Sequence, residues 1–296
     1  MSSIAFIGLG NMGAGMAANQ AKTRAVTAFD LSAEAMKRAA ALGVTPANSA
    51  IDAVRGAGTV ITMLPAGAHV RALYAETVLE HAAPGTLLVD CSTIDVESAR
   101  AVAGEARSRG FRAADAPVSG GAAAAEAGAL TFMVGCDDAD FAAVEDAVRP
   151  MAKAIVHAGQ NGAGQAAKIC NNMLLGISML GVCEAFALAE KLGLDGERFF
   201  EIAGKSSGQC WSLTSYCPWP GPVASAPSNH DYAAGFATAM MLKDLNLAAD
   251  AAAASGASAP LGMLARDVYR YLSEDGLGAK DFSIALLKLR GLQVSP

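Results

Sequence analysis

The chain has 296 residues, of which 53% are hydrophobic and 17% charged, and its formal net charge is −6. This composition excludes a disordered chain. With no basic run it also argues against nucleic acid or an anionic membrane surface as a partner. At about 150 residues per domain the length suggests two domains.

The opening "MSSIAFIGLG" has no positive n-region and leads directly into a strand, so no signal peptide is expected. Short β-rich runs then alternate with Ala-rich helical stretches. The predicted strands are 4–8, 26–30, 59–64, 86–90, 111–115, 130–135 and 154–157, with helical composition over segments such as 32–42 and 96–109. This alternation predicts a doubly wound, mostly parallel sheet of the Rossmann type, covered on both faces. From about Gly162 the pattern turns helical, over 164–192, 195–204, 237–255, 260–273 and 281–290. The reading is therefore an α/β N-terminal domain, 1–161, and an all-α C-terminal domain, 162–296, joined by a long helix. The apolar run Met173–Cys183 ends at Glu184 after 11 residues, too short to span a bilayer, so no membrane partner is expected. The six cysteines (Cys91, Cys136, Cys170, Cys183, Cys210 and Cys217) form no CxxC pair. They read as reduced thiols of a cytoplasmic protein.

"IAFIGLGNMGAGMA" places Gly8, Gly10 and Gly13 in G-x-G-x-x-G spacing between a strand and a helix. The first glycine permits the tight turn, the second a close approach to a pyrophosphate, and the third close helix–strand packing. The phosphates then meet the free N–H groups of the helix start, which include those of Asn11 and Met12. Asp30 ends the next strand, where a carboxylate can accept both ribose hydroxyls of NAD and would repel the 2′-phosphate of NADP. No arginine follows it in "FDLSAE". Leu64–Pro65 and Ser92–Thr93 lie at two further strand ends, on the rim where a parallel sheet binds its ligand.

"DAPVSGG" follows with Ser119, Gly120 and Gly121, whose hydroxyl and exposed N–H groups suit a carboxylate. In "GQAAKICNN", Lys168 and Asn172 fall within about 40° of each other on a helix, on one face with Gln165. Two readings of Lys168 stand: a solvated first-turn residue, or a desolvated lysine exchanging a proton with a substrate oxygen near neutral pH. The segment 208–236 is long, proline-rich and aromatic, without a clear helix or strand. No His/Cys/carboxylate cluster has metal-ligand spacing, so no metal is expected.

The set GLGNMG, DAPVSGG and GQAAKICNN, in this order and spacing, resembles the β-hydroxyacid dehydrogenase family. "GQCWSLTSYCPWPGP" and "MLKDLNLA" resemble its 3-hydroxyisobutyrate dehydrogenase branch. The resemblance covers essentially the whole chain. It implies NAD-dependent oxidation of a small molecule, 3-hydroxyisobutyrate to methylmalonate semialdehyde in valine breakdown, by a homodimer or homotetramer. Lys168 then matches the catalytic lysine, and Asn172 the amide that positions substrate. Ser119, Gly120 and Gly121 match the carboxylate loop, while Lys243 matches the lysine that reaches the cofactor, with Asp244 its neighbour in the motif. Leu64, Pro65 and Thr93 fall on cofactor positions. Trp211 and Phe236 match pocket walls; Tyr216 and Trp219 suit that role or loop packing equally. The same chemistry on L-serine, or on glycerate with tartronate semialdehyde, stays open, as does a catalytically silent NAD-binding module. Two departures from the family pattern touch no proposed catalytic group: the turn in "AKTRAVTAFD" lacks the usual glycine, and Cys136 stands where a second glycine is common.

Overall fold

The computed structural model describes residues 3–294. The chain divides into two compact units, Met1–Lys168 and Ile169–Pro296.

Among the described residues the first unit is built on nine strands. In chain order they are β1 (Ile4–Ile7), β2 (Val26–Phe29), β3 (Thr45–Pro46), β4 (Thr59–Thr62), β5 (Leu87–Asp90), β6 (Arg112–Asp115), β7 (Val118–Ser119), β8 (Leu130–Gly135) and β9 (Ala152–Gly159). Their spatial order is β3-β2-β1-β4-β5-β6-β8-β7, with β9 pairing β8. The strands β3 through β6 run parallel, as do β8 and β9, whereas β8 is antiparallel to β6 and β7. The expected mostly parallel, doubly wound sheet is present. Side-chain alternation shows how it is covered on both faces. Ile4, Phe6, Ile61, Leu87 and Val89 enter one apolar core, while Ala5, Ile7, Val60 and Leu88 enter the other.

The seven predicted strands are all found, shifted by no more than two residues at their ends. The prediction omitted β3 and β7, each only two residues long. A pair of residues has no readable alternation. In addition, Pro46 lacks an N–H and is tolerated because β3 is an edge strand.

The second unit is helical: the long helix Ala163–Lys191 enters it, and Gly196–Ala203, Thr238–Ser255, Pro260–Glu274 and Ala285–Leu289 follow. Its core gathers Met179, Phe186, Met241, Leu245, Tyr269 and Phe282. The expected helices are all present. The segment read as irregular contains one short helix, Trp211–Thr214, and a 3-10 turn, Pro227–Asn229. The long helix has 29 residues and a mean hydropathy of 1.7 in its most apolar stretch, enough by length and composition alone to cross a bilayer. Counting only the unbroken run Met173–Cys183 understated it. Met179, Cys183 and Phe186 bury its apolar side in the helical core, which is how a core helix passes the same test.

Candidate active site

The glycine loop answers to three different constraints. Gly8 has φ +96°, and a Cβ there would overlap the carbonyl oxygen of Met63. A Cβ on Gly13 would overlap the carbonyl oxygen of Gly8, so this glycine lets the first helix, Gly13–Ala21, sit against the loop. A Cβ on Gly10 would meet no protein atom within 4 Å. Protein packing therefore does not demand the middle glycine, and close backbone approach by a bound phosphate does explain it. Asp30 is tied into the same loop: its Oδ2 accepts the Leu9 N–H at 2.6 Å and its Oδ1 the Ser32 N–H at 2.7 Å. The residues present fit a dinucleotide.

At the ends of β4 and β5 a buried polar network fixes the rim. Asp90 is 5% exposed, and its Oδ1 accepts Thr62 Oγ1 at 2.7 Å and Ser92 Oγ at 2.6 Å. Ser92 Oγ in turn accepts the Leu64 N–H at 2.8 Å. With the Thr62 proton spent on Asp90, the Tyr74 hydroxyl is the donor in its 3.3 Å contact with Thr62 Oγ1. Burial pushes the Asp90 carboxyl up to about 6, against the opposing bonds from Ser92 and Thr62, and the nearby Asp115 adds to the rise. Burial, then the charge of Asp90, raises the Tyr74 phenol well above its ordinary value.

Ser119 ends β7, half-buried, and Gly120 (φ +139°) and Gly121 (φ +71°) turn the chain into the helix Gly121–Ala127. That helix is held to the first one by Asn19, whose Nδ2 donates to Gly15 O, Ala125 O and Glu126 O. The Ser119–Gly121 turn and the glycine loop thus share a support.

The long helix begins on Asp115, at the end of β6. Asp115 Oδ1 accepts the Gly162 N–H at 2.6 Å and Oδ2 the Gln165 N–H at 2.9 Å, so a distant strand caps this helix. Burial raises the Asp115 carboxyl, opposed by those two N–H groups. A Cβ on Gly164 would overlap Met133 O, so this glycine permits the close approach. Lys168 is 7% exposed and Asn172 2%, which removes the solvated first-turn reading of the lysine. Asn172 Nδ2 donates to Asp244 Oδ2 at 2.5 Å, and its Oδ1 accepts Asn171 Nδ2 at 3.0 Å. Lys243 precedes Asp244 on the helix Thr238–Ser255.

In the second unit, Trp211 is 51% exposed and stacks on Tyr216 at 4.8 Å between ring centroids. Phe236 packs edge-on against Phe282. Asp281, fully buried, organises this segment by accepting the Tyr216 hydroxyl and the N–H groups of Gly235 and Phe236 on Oδ2, and Ser283 N–H and Oγ on Oδ1. Trp219 stacks on Phe186 at 5.4 Å with Arg290 over its ring at 4.6 Å. Tyr216 and Trp219 therefore pack the loop. Sequence reasoning missed Asp90, Asp115 and Asp281; only "VDCS", "DAPV" and "KDFS", each an acid beside an apolar run, hinted at them.

The parallel sheet, the glycine cradle and Asp30 define an NAD-binding dehydrogenase. Residues 3–159 match the family model for the NAD-binding domain of 6-phosphogluconate dehydrogenase. Residues 162–289 match the one described as NAD-binding of NADP-dependent 3-hydroxyisobutyrate dehydrogenase. The chain belongs to the β-hydroxyacid dehydrogenase family, in its 3-hydroxyisobutyrate dehydrogenase branch, and is an NAD-dependent oxidoreductase. It is 48% identical over 287 residues to an NAD-dependent L-serine dehydrogenase of Pseudomonas aeruginosa, covering 96% of each chain. A probable 3-hydroxyisobutyrate dehydrogenase of Mycobacterium tuberculosis is 48% identical over 291 residues, with 98% of each chain covered. The solved structure of Mycobacterium tuberculosis 3-hydroxyisobutyrate dehydrogenase with L-serine superposes with a TM-score of 0.94 at 48% identity, over 98% of this chain and 99% of that one.

Proposed function

We propose that this chain oxidises 3-hydroxyisobutyrate to methylmalonate semialdehyde with NAD, and that Lys168 is the proton-transfer group. The observation that carries this reading is a lysine and an amide one turn apart on a single helix, both buried, with the amide oriented by Asp244. A buried ammonium is costly unless it serves a ligand or a partner. Ser119 Oγ and the Gly120 and Gly121 N–H groups hold the substrate carboxylate. Asn172 orients the primary hydroxyl toward Lys168, which takes its proton as the C3–O bond becomes a carbonyl. In reverse, the Lys168 ammonium protonates the carbonyl oxygen and stabilises the developing alkoxide. When bound, NAD would supply the acceptor for the hydride leaving C3. Gly8, Gly10, Asn11, Met12, Gly13, Asp30, Leu64, Pro65 and Thr93 would hold the coenzyme, and Lys243 matches the family's cofactor-contacting lysine. Trp211 and Phe236 serve the substrate.

L-serine is the second reading. It is favoured by the 48% identical relative named for that activity and by the L-serine in the similar solved structure. The test is NADH formation at 340 nm with 3-hydroxyisobutyrate, L-serine and D-glycerate, each with NAD and NADP. The largest kcat/KM is expected for 3-hydroxyisobutyrate with NAD; a preference for serine or glycerate keeps the mechanism and moves the substrate. No turnover on any of them, with NADH still bound, would favour a silent module. Lys168→Ala is expected to lose turnover by about 100-fold or more while binding NADH normally. Near-wild-type turnover would overturn the lysine's role.

A homodimer or homotetramer is also proposed, with exposed apolar side chains such as Leu188, Leu192, Leu261 and Leu264 in support. Light scattering on the purified protein decides it. A reducing, cytoplasmic location is consistent with six free cysteines.

A further inference from the structure

Gln165 is a fully buried glutamine in the first turn of the long helix, and apolar packing does not account for it. Its amide spends both ends on the backbone flanking Thr93. Nε2 donates to Ser92 O at 2.7 Å, and Oε1 accepts the Ile94 N–H at 3.1 Å. Its own backbone N–H is held by Asp115. From Ser92 the bonds continue through Oγ to the Leu64 N–H on one side and to the Asp90 carboxylate on the other. Gln165 thus gathers the ends of β4, β5 and β6 at a point three residues before Lys168, on the same helix face.

We propose that Gln165 is a positioning residue for hydride transfer: its amide clasps the Thr93 turn and sets that turn, and the coenzyme it meets, at a fixed place relative to Lys168. It acts through Thr93 and Leu64 and touches no reacting atom. A leucine of similar volume would fill the space and leave Ser92 O and the Ile94 N–H without their partners, so the turn would relax. A small displacement between the reacting groups is then felt mainly in kcat. The inference rests on the reading of Thr93 and Leu64 as cofactor contacts and of Lys168 as the proton-transfer group.

The test compares wild type, Gln165→Leu, Gln165→Glu and Lys168→Ala at a temperature well below each protein's melting point. Kd is read by NADH fluorescence titration, together with kcat and KM for the hydroxy acid. In Gln165→Leu the NADH Kd is expected to rise about fivefold and kcat to fall about 10- to 100-fold, with KM for the hydroxy acid within about threefold. Gln165→Glu keeps an acceptor for Ile94 but sets a carboxylate oxygen against Ser92 O, so it is expected to lose kcat and NADH affinity at least as far as the leucine variant; it also serves if the leucine variant does not fold. A lower melting temperature with NADH Kd and kcat both unchanged would overturn the proposal and leave a packing role. The NADH titration also separates the two readings. Loss of turnover in Lys168→Ala beside unchanged NADH binding and kcat in Gln165→Leu strikes the clasp alone, whereas full turnover in Lys168→Ala strikes the lysine's role and not the clasp.

Discussion

The Asn172 amide donates to the Asp244 carboxylate at 2.5 Å, joining two helices of the second unit 72 residues apart in sequence. A carboxylate accepts and cannot donate, so Asp244 fixes which end of the amide is nitrogen, and Asn171 occupies the other end. The family motif places Asp244 beside a lysine; the fold makes it the group that orients Asn172. Asp244→Ala leaves a buried donor without this acceptor. We expect a loss of roughly 1–3 kcal/mol in stability by urea unfolding. Turnover should fall about 10-fold or more, with NADH affinity unchanged. Unaltered kcat would show that Asn172 needs no such partner.

The glycines of the first loop separate binding from folding. Gly13→Ala forces a Cβ into Gly8 O, so the strand–helix contact must open. A stability loss of about 2–4 kcal/mol is expected in chemical denaturation. Gly10→Ala meets no protein atom. Its stability should stay within about 1 kcal/mol of wild type while NADH affinity drops about tenfold or more. If Gly10→Ala lost as much stability as Gly13→Ala and, still folded, bound NADH as tightly as wild type, the middle glycine would be a packing glycine after all.

The coenzyme preference is proposed to rest on Asp30. Its two oxygens are already anchored by Leu9 and Ser32 N–H groups, which hold the charge at the loop. A 2′-phosphate placed there would face a fixed carboxylate. Asp30→Ala is expected to shift the NAD-to-NADP ratio of kcat/KM toward NADP by about 10- to 100-fold. An unchanged ratio would locate the discrimination elsewhere.

The sheet and the helix boundaries were legible because repeated alternation and 3.6-residue periodicity average over many residues. Gly8–Gly13 was legible because one short stretch contains its whole geometry. The same local reading placed Lys168 and Asn172 on one face, but it could not decide between solvent and burial; the 7% exposure of Lys168 decides that. Asp115 and Asp281 escaped notice for another reason. Asp115 finds its donors 47 and 50 residues away, and Asp281 finds three of its own at 45, 46 and 65, so no sequence window contains either set. The strands β3 and β7 were lost because two residues cannot show a period.

Burial of Asp90 makes the stability of the fold depend on pH. Its carboxyl stands at about 6 in the folded chain, against roughly 3.9 when unfolded. The folded state therefore holds the proton more tightly. The stability this group contributes is fully present below about pH 4 and is lost as pH rises through about 6. The difference amounts to roughly 3 kcal/mol. The titratable groups acting on it are Tyr74, Cys91 and Asp115. Asp90→Asn keeps an Oδ1 for Thr62 and Ser92 and cannot ionise, whereas Asp115 titrates in both proteins and largely cancels. Urea unfolding at pH 4.5 and pH 7.5 should show the variant gaining on wild type by about 2 kcal/mol between the two. A difference that does not move with pH would mean that Asp90 ionises in the folded chain as it does in the unfolded one. The desolvation assigned to it would then be wrong.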